Sequence, residues 1–203
     1  FTFDEEPPQY KSSGNQGVFS DGYLNEGKTF DYTVRDFENL TEDEKAFLKK
    51  YRISIETMKK LNMVFIIDYT FISKDGKVRQ INSIGDKIII GHKVGDYFLK
   101  VYKPNNDNYK HQCLGKIPKN YIVGRDRLDK LHERITKCTN NNKDAKIKIV
   151  ISAGGKDCLS LNEIGLVAFC FNSETTTYIP DFIFKYIREM NEVLNNPVEI
   201  IVA

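Results

Sequence analysis

The sequence contains no tryptophan, few cysteines and no long hydrophobic run. Its four cysteines, Cys113, Cys138, Cys158 and Cys170, follow no CxxC spacing, which argues against a disulfide framework and a paired zinc signature. No apolar stretch reaches transmembrane length, and no signal peptide is recognisable. The net charge is only +2, so neither sign dominates the surface. These absences predict a cytoplasmic protein with reduced thiols and no membrane partner.

The remaining composition is that of an ordinary globular protein. Hydrophobic residues make up 40% of the 203 positions, which is enough for one or two cores. The chain begins at Phe1 rather than Met, and its last residues, 198–203, form an apolar run without an exit turn. We therefore expect a piece of a larger protein.

The first part of the chain predicts an arm followed by two short helices. Residues 1–40 are polar and irregular, which indicates a linker or an extended arm. Thr41 and Glu44 form a capping-box sequence at the start of one helix, and Ser54 is placed to cap the next. Two helices with a tight joint are typical of a helix-turn-helix or of a helical hairpin packed on a sheet. The second interpretation is favoured, because the second helix offers few side chains suited to reading bases.

The middle of the chain predicts an antiparallel meander. Residues 63–70 are rich in Val, Ile, Phe and Tyr, and residues 77–84 and 97–103 alternate apolar and polar side chains, with Asp-Gly and Gly-Asp turns between the strands. A helix at 125–138 follows, with apolar side chains at spacings of three and four. Together with the helical pair, these elements form a predicted module over residues 41–138.

Lysines and tyrosines interleave along the end of this meander, at Lys100, Lys103, Lys110, Lys116, Lys119, Tyr102, Tyr109 and Tyr121. Such a surface either binds a single strand of nucleic acid, with bases stacked on the tyrosine rings, or is a solvated edge of the sheet. Lys103 and Lys110 are the candidate nucleic-acid contacts.

Residues 146–203 predict a β-α-β-α-β unit. An apolar run at 147–151 leads through a Ser-Ala-Gly-Gly turn into a helical pattern, and a second apolar run follows at 166–171. A further helix and the strand at 198–203 complete the order, which demands right-handed crossovers and a parallel sheet. The predicted fold class is therefore α+β: a helix-plus-antiparallel-meander module followed by a partial α/β unit.

Ligands of open α/β sheets bind beyond the carboxyl ends of the strands, which selects the turn at 152–157 and the segment at 172–174. Gly154 and Gly155 stand where a sharp turn often needs positive φ or close backbone approach. Lys156 lies at a helix N-terminus, where it either contacts a phosphate or is simply exposed. Ser152 is expected to cap the helix. Asp157 and Glu174 are the carboxylates in these two segments.

The run Ile149 to Leu161, IVISAGGKDCLSL, resembles the first motif of the Toprim domain, the fold shared by primases and topoisomerases. Gly154 and Asp157 match this motif, whereas Ala153 stands where the family has its catalytic Glu. The sequence is similar to Toprim proteins of phages and mobile elements, which include DNA primases. A weaker likeness to the region preceding Toprim in these primases covers much of residues 40–128.

The resemblance implies that residues 146–203 are a Toprim-like half-domain, truncated at its third strand. It implies DNA-templated primer synthesis by metal-dependent nucleotidyl transfer in the full-length protein, with Mg²⁺, a single-stranded DNA template, ribonucleotides and a replicative helicase as partners. Asp157 and Glu174 would be the catalytic candidates, and an acidic pair is expected after Ala203. With Ala153 in place of Glu, the piece alone is expected to be inactive. The alternative is a non-catalytic nucleic-acid-binding or helicase-accessory module.

Overall fold

The computed structural model describes residues 29–73, 75–84, 87–106, 110–137, 143–172 and 178–203. They divide into two compact units. We call residues 29–50 and 62–119 the meander unit, and residues 51–61 and 120–203 the parallel-sheet unit. Most of the predicted arm, residues 1–28, lies outside the described residues, as do residues 138–142. Among the described residues, every helix is too short or too polar to cross a membrane.

The meander unit is an antiparallel sheet with one α-helix. Its strands pair in the order β1-β2-β4-β5-β6, and β3 pairs with β2, so the predicted meander is confirmed. The elements are β1 Phe30–Arg35, α1 Glu42–Tyr51, β2 Met63–Ile72, β3 Val78–Asn82, β4 Ile90–Val94, β5 Phe98–Tyr102 and β6 His111–Gly115.

Strand β1 corrects the prediction of an irregular arm over residues 1–40. It pairs antiparallel with β2, with Phe30 opposite Phe71, and the Phe30 side chain is buried. The predicted helix start is confirmed, because the Glu44 amide donates to Thr41 Oγ1 at 3.2 Å and the Thr41 amide donates to Glu44 Oε2 at 2.8 Å.

The parallel-sheet unit is a mixed sheet with helices on both faces. Strand β8 lies between β9 and β10 and is parallel to both, as the β-α-β-α-β order predicts, whereas β7 pairs antiparallel with β9. The elements are α2 Ile55–Lys60, β7 Ile122–Val123, α3 Arg125–Lys137, β8 Lys148–Ile151, α4 Gly155–Glu163, β9 Val167–Phe171, α5 Asp181–Val193 and β10 Glu199–Val202.

Helices α3 and α5 cover one face of this sheet. Leu128 and Leu131 of α3 and Ile183 of α5 are buried in one cluster with Ile149 and Phe169 of the central strands. The sequence analysis placed α2 and α3 in the module of residues 41–138, but the structure assigns both helices to the parallel-sheet unit. For α3 the reason is that its apolar side chains are buried against β8 and β9.

Helix α4 packs against the opposite face through Cys158. The Cys158 thiol donates to the Ala168 carbonyl at 3.3 Å, and both Cys158 and Cys170 are fully buried, as predicted. A hydrogen bond with Cys170, followed by burial, raises the pKa of the Cys158 thiol. Leu161, also predicted to be buried, is only partly buried.

Candidate functional site

The turn between β8 and α4 lies at the carboxyl end of the central strand. Gly154 is the N-cap of α4 with φ −148° and ψ 172°, and Gly155 is the first helical residue. This extended conformation is usual for an N-cap, so of the two reasons considered for a glycine here, positive φ does not apply at Gly154. Gly155, which is a described residue, does not have a positive φ either. The glycines therefore leave the helix start bare of side chains instead of supplying a left-handed turn.

Ser152 ties this turn to the neighbouring strand instead of capping the helix. Its amide donates to the Phe169 carbonyl at 2.9 Å. Its hydroxyl lies 3.3 Å from the same oxygen and 3.4 Å from the Gly154 carbonyl. Ser152 is buried, and Gly154 occupies the cap position two residues further along. The prediction that Ser152 caps α4 is therefore wrong.

Lys156 and Asp157 form the charged part of the turn. The Lys156 amine lies 4.9 Å from the centre of the Tyr51 ring and 3.5 Å from Asp157 Oδ1. Asp157 lies in the first turn of α4, where a negative charge is favoured by the helix dipole. Both side chains are partly exposed, at 34% and 48%. The amine is thus within reach of solvent but already has a ring and a carboxylate beside it.

The donor set at this turn does not fit a magnesium site. Magnesium takes oxygen ligands, usually from one or two carboxylates, together with waters and phosphates. Ala153 supplies no side-chain oxygen, and Asp157 is already beside Lys156. Glu174, the other predicted carboxylate, lies outside the described residues. Among the residues that the structure describes, no group of three or more His, Cys, Asp and Glu side chains converges.

Lys103, predicted as a nucleic-acid contact, is buried in the meander unit. Its amine donates to the Tyr69 hydroxyl at 3.3 Å, and this hydroxyl donates to Gln112 Oε1 at 2.9 Å. Burial lowers the pKa of Lys103 and raises the pKa of Tyr69 to about 12. The prediction of a surface contact is therefore wrong for Lys103. The signal was present, because Lys103 continues the period-two pattern of the buried Leu99 and Val101.

Lys110, the second predicted contact of the meander, is exposed. Its carbonyl accepts a hydrogen bond from the Lys103 amide at 2.8 Å, which holds its backbone beside the end of β5. Lys110 therefore remains a candidate contact. It belongs to the meander unit, whereas the β8–α4 turn belongs to the parallel-sheet unit.

The sequence analysis missed a polar cleft in the parallel-sheet unit. Its volume is about 220 Å³, and it is lined by Ser54, Glu56, Thr57, Lys60, Leu61, Arg127, Asn162, Glu163 and Gly165. Glu163 Oε2 accepts hydrogen bonds from the Ser54 amide and the Ser54 hydroxyl, both at 2.8 Å. These partners are 109 residues apart, so no local pattern indicates the contact. Ser54 nevertheless caps α2 as predicted, since its hydroxyl accepts from the Thr57 amide at 3.1 Å.

Glu163 makes the stability of the parallel-sheet unit sensitive to acid. Hydrogen bonds from the Thr57 side chain and then the Ser54 amide hold its pKa below the ordinary value. A carboxylate with a depressed folded pKa contributes stability above its unfolded pKa and loses it as pH falls through the folded pKa. We expect Glu163→Gln to cost about 1 kcal/mol at pH 7 and to flatten the decline in stability between about pH 5 and pH 3.

Urea denaturation at several pH values measures this effect, with Glu192→Gln as the control. Glu192 is an exposed carboxylate on α5 of the same unit. Its replacement should leave the acid-induced decline unchanged. A Glu163→Gln protein whose pH profile is the same as that of the Glu192→Gln protein would contradict the assignment.

Two solved structures are similar to this chain. No protein-family profile and no curated protein matches the sequence. The two similar structures are a DnaG primase catalytic domain bound to ssDNA and a DnaG catalytic core, each with 11% identity and a TM-score of 0.45. Each match covers 79% of this chain, and 55% and 54% of the respective structures, so the chain spans about half their length. We base the proposal of function on the residues of this chain itself.

Proposed function

We propose that this chain is part of a DNA primase-like protein and that it contributes to holding single-stranded DNA. The observation that carries the proposal is the IVISAGGKDCLSL motif, which resembles the first Toprim motif and lies on β8 and α4. Strand β8 is central and pairs in parallel with β9 and β10. Gly154, Lys156 and Asp157 thus lie at the carboxyl end of a central parallel strand, where ligands of such sheets bind.

For the whole protein we propose DNA-templated primer synthesis by metal-dependent nucleotidyl transfer. The described residues supply Asp157 but no convergent set of carboxylates, so they do not account for metal-dependent chemistry by themselves. Within this proposal Asp157 and Glu174 stay the catalytic candidates. Lys156 and Lys110 are the proposed contacts to phosphates, because both amines reach solvent.

The second candidate is a non-catalytic Toprim-like module that binds nucleic acid, alone or beside a helicase. Ala153 favours it, because the resemblance places the catalytic Glu at this position and a methyl group neither ligates a metal nor transfers a proton. The two candidates share DNA binding and differ in whether the full-length protein is catalytic.

We expect the 203-residue chain to bind a fluorescent single-stranded oligonucleotide and to synthesise no primer. The affinity should fall steeply as salt rises, since phosphate contacts by lysine and arginine release counterions. Fluorescence anisotropy measures binding, and incorporation of labelled ribonucleotides on a single-stranded template with Mg²⁺ measures synthesis.

The two readouts test the DNA binding that both candidates share and the activity of this chain by itself. Template-dependent RNA products from this chain would show that it is an enzyme by itself. A chain that fails to bind single-stranded DNA even at low salt would refute the proposed function. A neutral polymer of similar length, which offers no phosphates, serves as the control for binding that does not depend on charge.

A further inference from the structure

Helix α3 carries a row of cations that the site described above does not use. Arg127, Lys130 and Arg134 follow one another at spacings of three and four residues, which places them along one flank of the helix. The apolar stripe of Leu128 and Leu131 is buried against the sheet. Lys130 and Arg134 are exposed, and Arg127 is half-buried. We call Arg127, Lys130 and Arg134 the basic flank of α3.

The other cations of α3 are already engaged. Arg125 Nε lies 2.7 Å from Asp129 Oδ1, and its guanidinium lies 3.6 Å from the centre of the Phe182 ring. Lys137 lies 2.7 Å from Glu133. In contrast, no ion pair within the described part of the chain involves Arg127 or Lys130. Two charges of the basic flank are therefore available to an anionic partner.

One end of the basic flank opens into the polar cleft. Two carboxylates also line this cleft, and each has a partner in the same unit. Glu163 accepts two hydrogen bonds from Ser54, and Glu56 lies 3.7 Å from the Lys60 amine. The lining of the cleft holds two carboxylates and two cations, since Arg127 and Lys60 face Glu56 and Glu163, so the cleft itself carries no excess of either charge. The positive charge of the basic flank therefore lies outside the cleft, on the exposed side chains of α3.

The length of the basic flank suits a nucleic-acid backbone. With a helical rise of about 1.5 Å per residue, Arg127 and Arg134 lie about 10 Å apart along the axis. A nucleic-acid strand carries one phosphate every 3.4 Å of duplex axis, and the spacing is wider when a single strand is extended. The three cations therefore reach about two or three successive phosphates of one strand.

We propose that the basic flank of α3 binds the phosphate backbone of single-stranded nucleic acid. This proposal rests on the proposed function, because it adds a second DNA-binding region to the one at the β8–α4 turn. The bases stay outside the contact, since Arg127, Lys130 and Arg134 all recognise the charge of the phosphate. Binding through α3 is therefore independent of sequence.

The test compares two variants of the 203-residue chain with equal changes of charge. The first is Arg127→Gln, Lys130→Gln and Arg134→Gln together. The control is Lys146→Gln, Lys185→Gln and Arg188→Gln, three exposed cations of the same unit outside α3. We expect the first variant to bind a single-stranded oligonucleotide at least tenfold more weakly at low salt, and the control to change affinity less than threefold.

Salt dependence gives the second readout. The slope of log affinity against log salt should decrease by about 2 in the basic-flank variant, at roughly 0.7 for each phosphate contact on a single strand. Circular dichroism checks folding. If the triple variant unfolds, Lys130→Gln and Arg134→Gln, both on exposed side chains, supply the comparison.

The outcomes separate this inference from the proposed function. If the unaltered chain does not bind single-stranded DNA at all, both fail. If it binds and the basic-flank variant binds as tightly as the control variant, only the role of α3 is refuted. If the variant loses affinity for polyglutamate as strongly as for the oligonucleotide, the surface serves an acidic protein partner and the nucleic-acid assignment is overturned.

Discussion

Replacing Glu44 with alanine is expected to lower the free energy of unfolding by about 3–5 kcal/mol, as the loss of one partner from a buried ion pair does elsewhere. The Glu44 side chain is only 1% exposed, and its carboxylate lies 3.0 Å from Arg35 Nε. The carboxylate also accepts a hydrogen bond from the Thr41 amide at 2.8 Å. Alanine at this position leaves the Arg35 charge without its partner, removes half of the capping box and detaches α1 from β1.

The control is Glu42→Ala in the same first turn of α1. Glu42 also forms an ion pair, 2.7 Å from Lys45, but its side chain is 89% exposed. Exposed pairs contribute about 0–1 kcal/mol, because water screens the charges and the side chains lose entropy. Urea denaturation followed by circular dichroism compares the two variants. Equal losses for Glu42→Ala and Glu44→Ala would show that burial does not govern the contribution of Glu44.

Replacing Gly124 with alanine is expected to cost about 3 kcal/mol or more. Gly124 joins β7 to α3 with φ +88°, a conformation that costs an L-residue about 1–2 kcal/mol. An added Cβ would also lie 2.5 Å from the Ala168 carbonyl oxygen, a backbone atom held in the sheet by the pairing of β9 with β8. Relief of this clash requires a shift of α3 or β9, and such overpacking costs roughly 1–3 kcal/mol more.

Gly165 provides a matched control, because it has the same backbone conformation without the clash. Its φ is +89°, and an added Cβ would meet no atom within 4 Å. Gly165→Ala should therefore cost only the backbone strain, about 1–2 kcal/mol. The difference between the two variants in denaturation experiments isolates the close approach of α3 to β9. Losses of the same size at both glycines would contradict this packing of α3.

Local patterns were enough to predict much of the fold. The Thr41 and Glu44 capping box, the alternating strands β2 to β5 and the parallel arrangement of β8, β9 and β10 all match the structure. Each depends on neighbours within a few residues, or on the order of elements and the handedness of crossovers. Strand β1 was missed because six residues of mixed polarity become a strand only when β2 supplies their hydrogen-bond partners.

The candidate site was predicted less completely. Gly154, Lys156 and Asp157 do lie together at the start of α4, since they are adjacent in sequence. The role of Ser152 depended instead on the Phe169 carbonyl of the next strand, and the polar cleft on the contact between Ser54 and Glu163. Contacts of this kind leave no periodic signal, because their partners are far apart along the chain.

The sequence by itself determined the start of α1, which faces are apolar and that Ala153 replaces a carboxylate of the motif that it resembles. The tertiary structure alone decided which unit α3 joins, that Lys103 is buried against Tyr69, and that Arg125 and Lys137 of α3 form ion pairs. The physical reason is the range of each interaction. Capping and periodicity act within one or two helical turns, whereas burial and ion pairing depend on whatever the fold brings alongside.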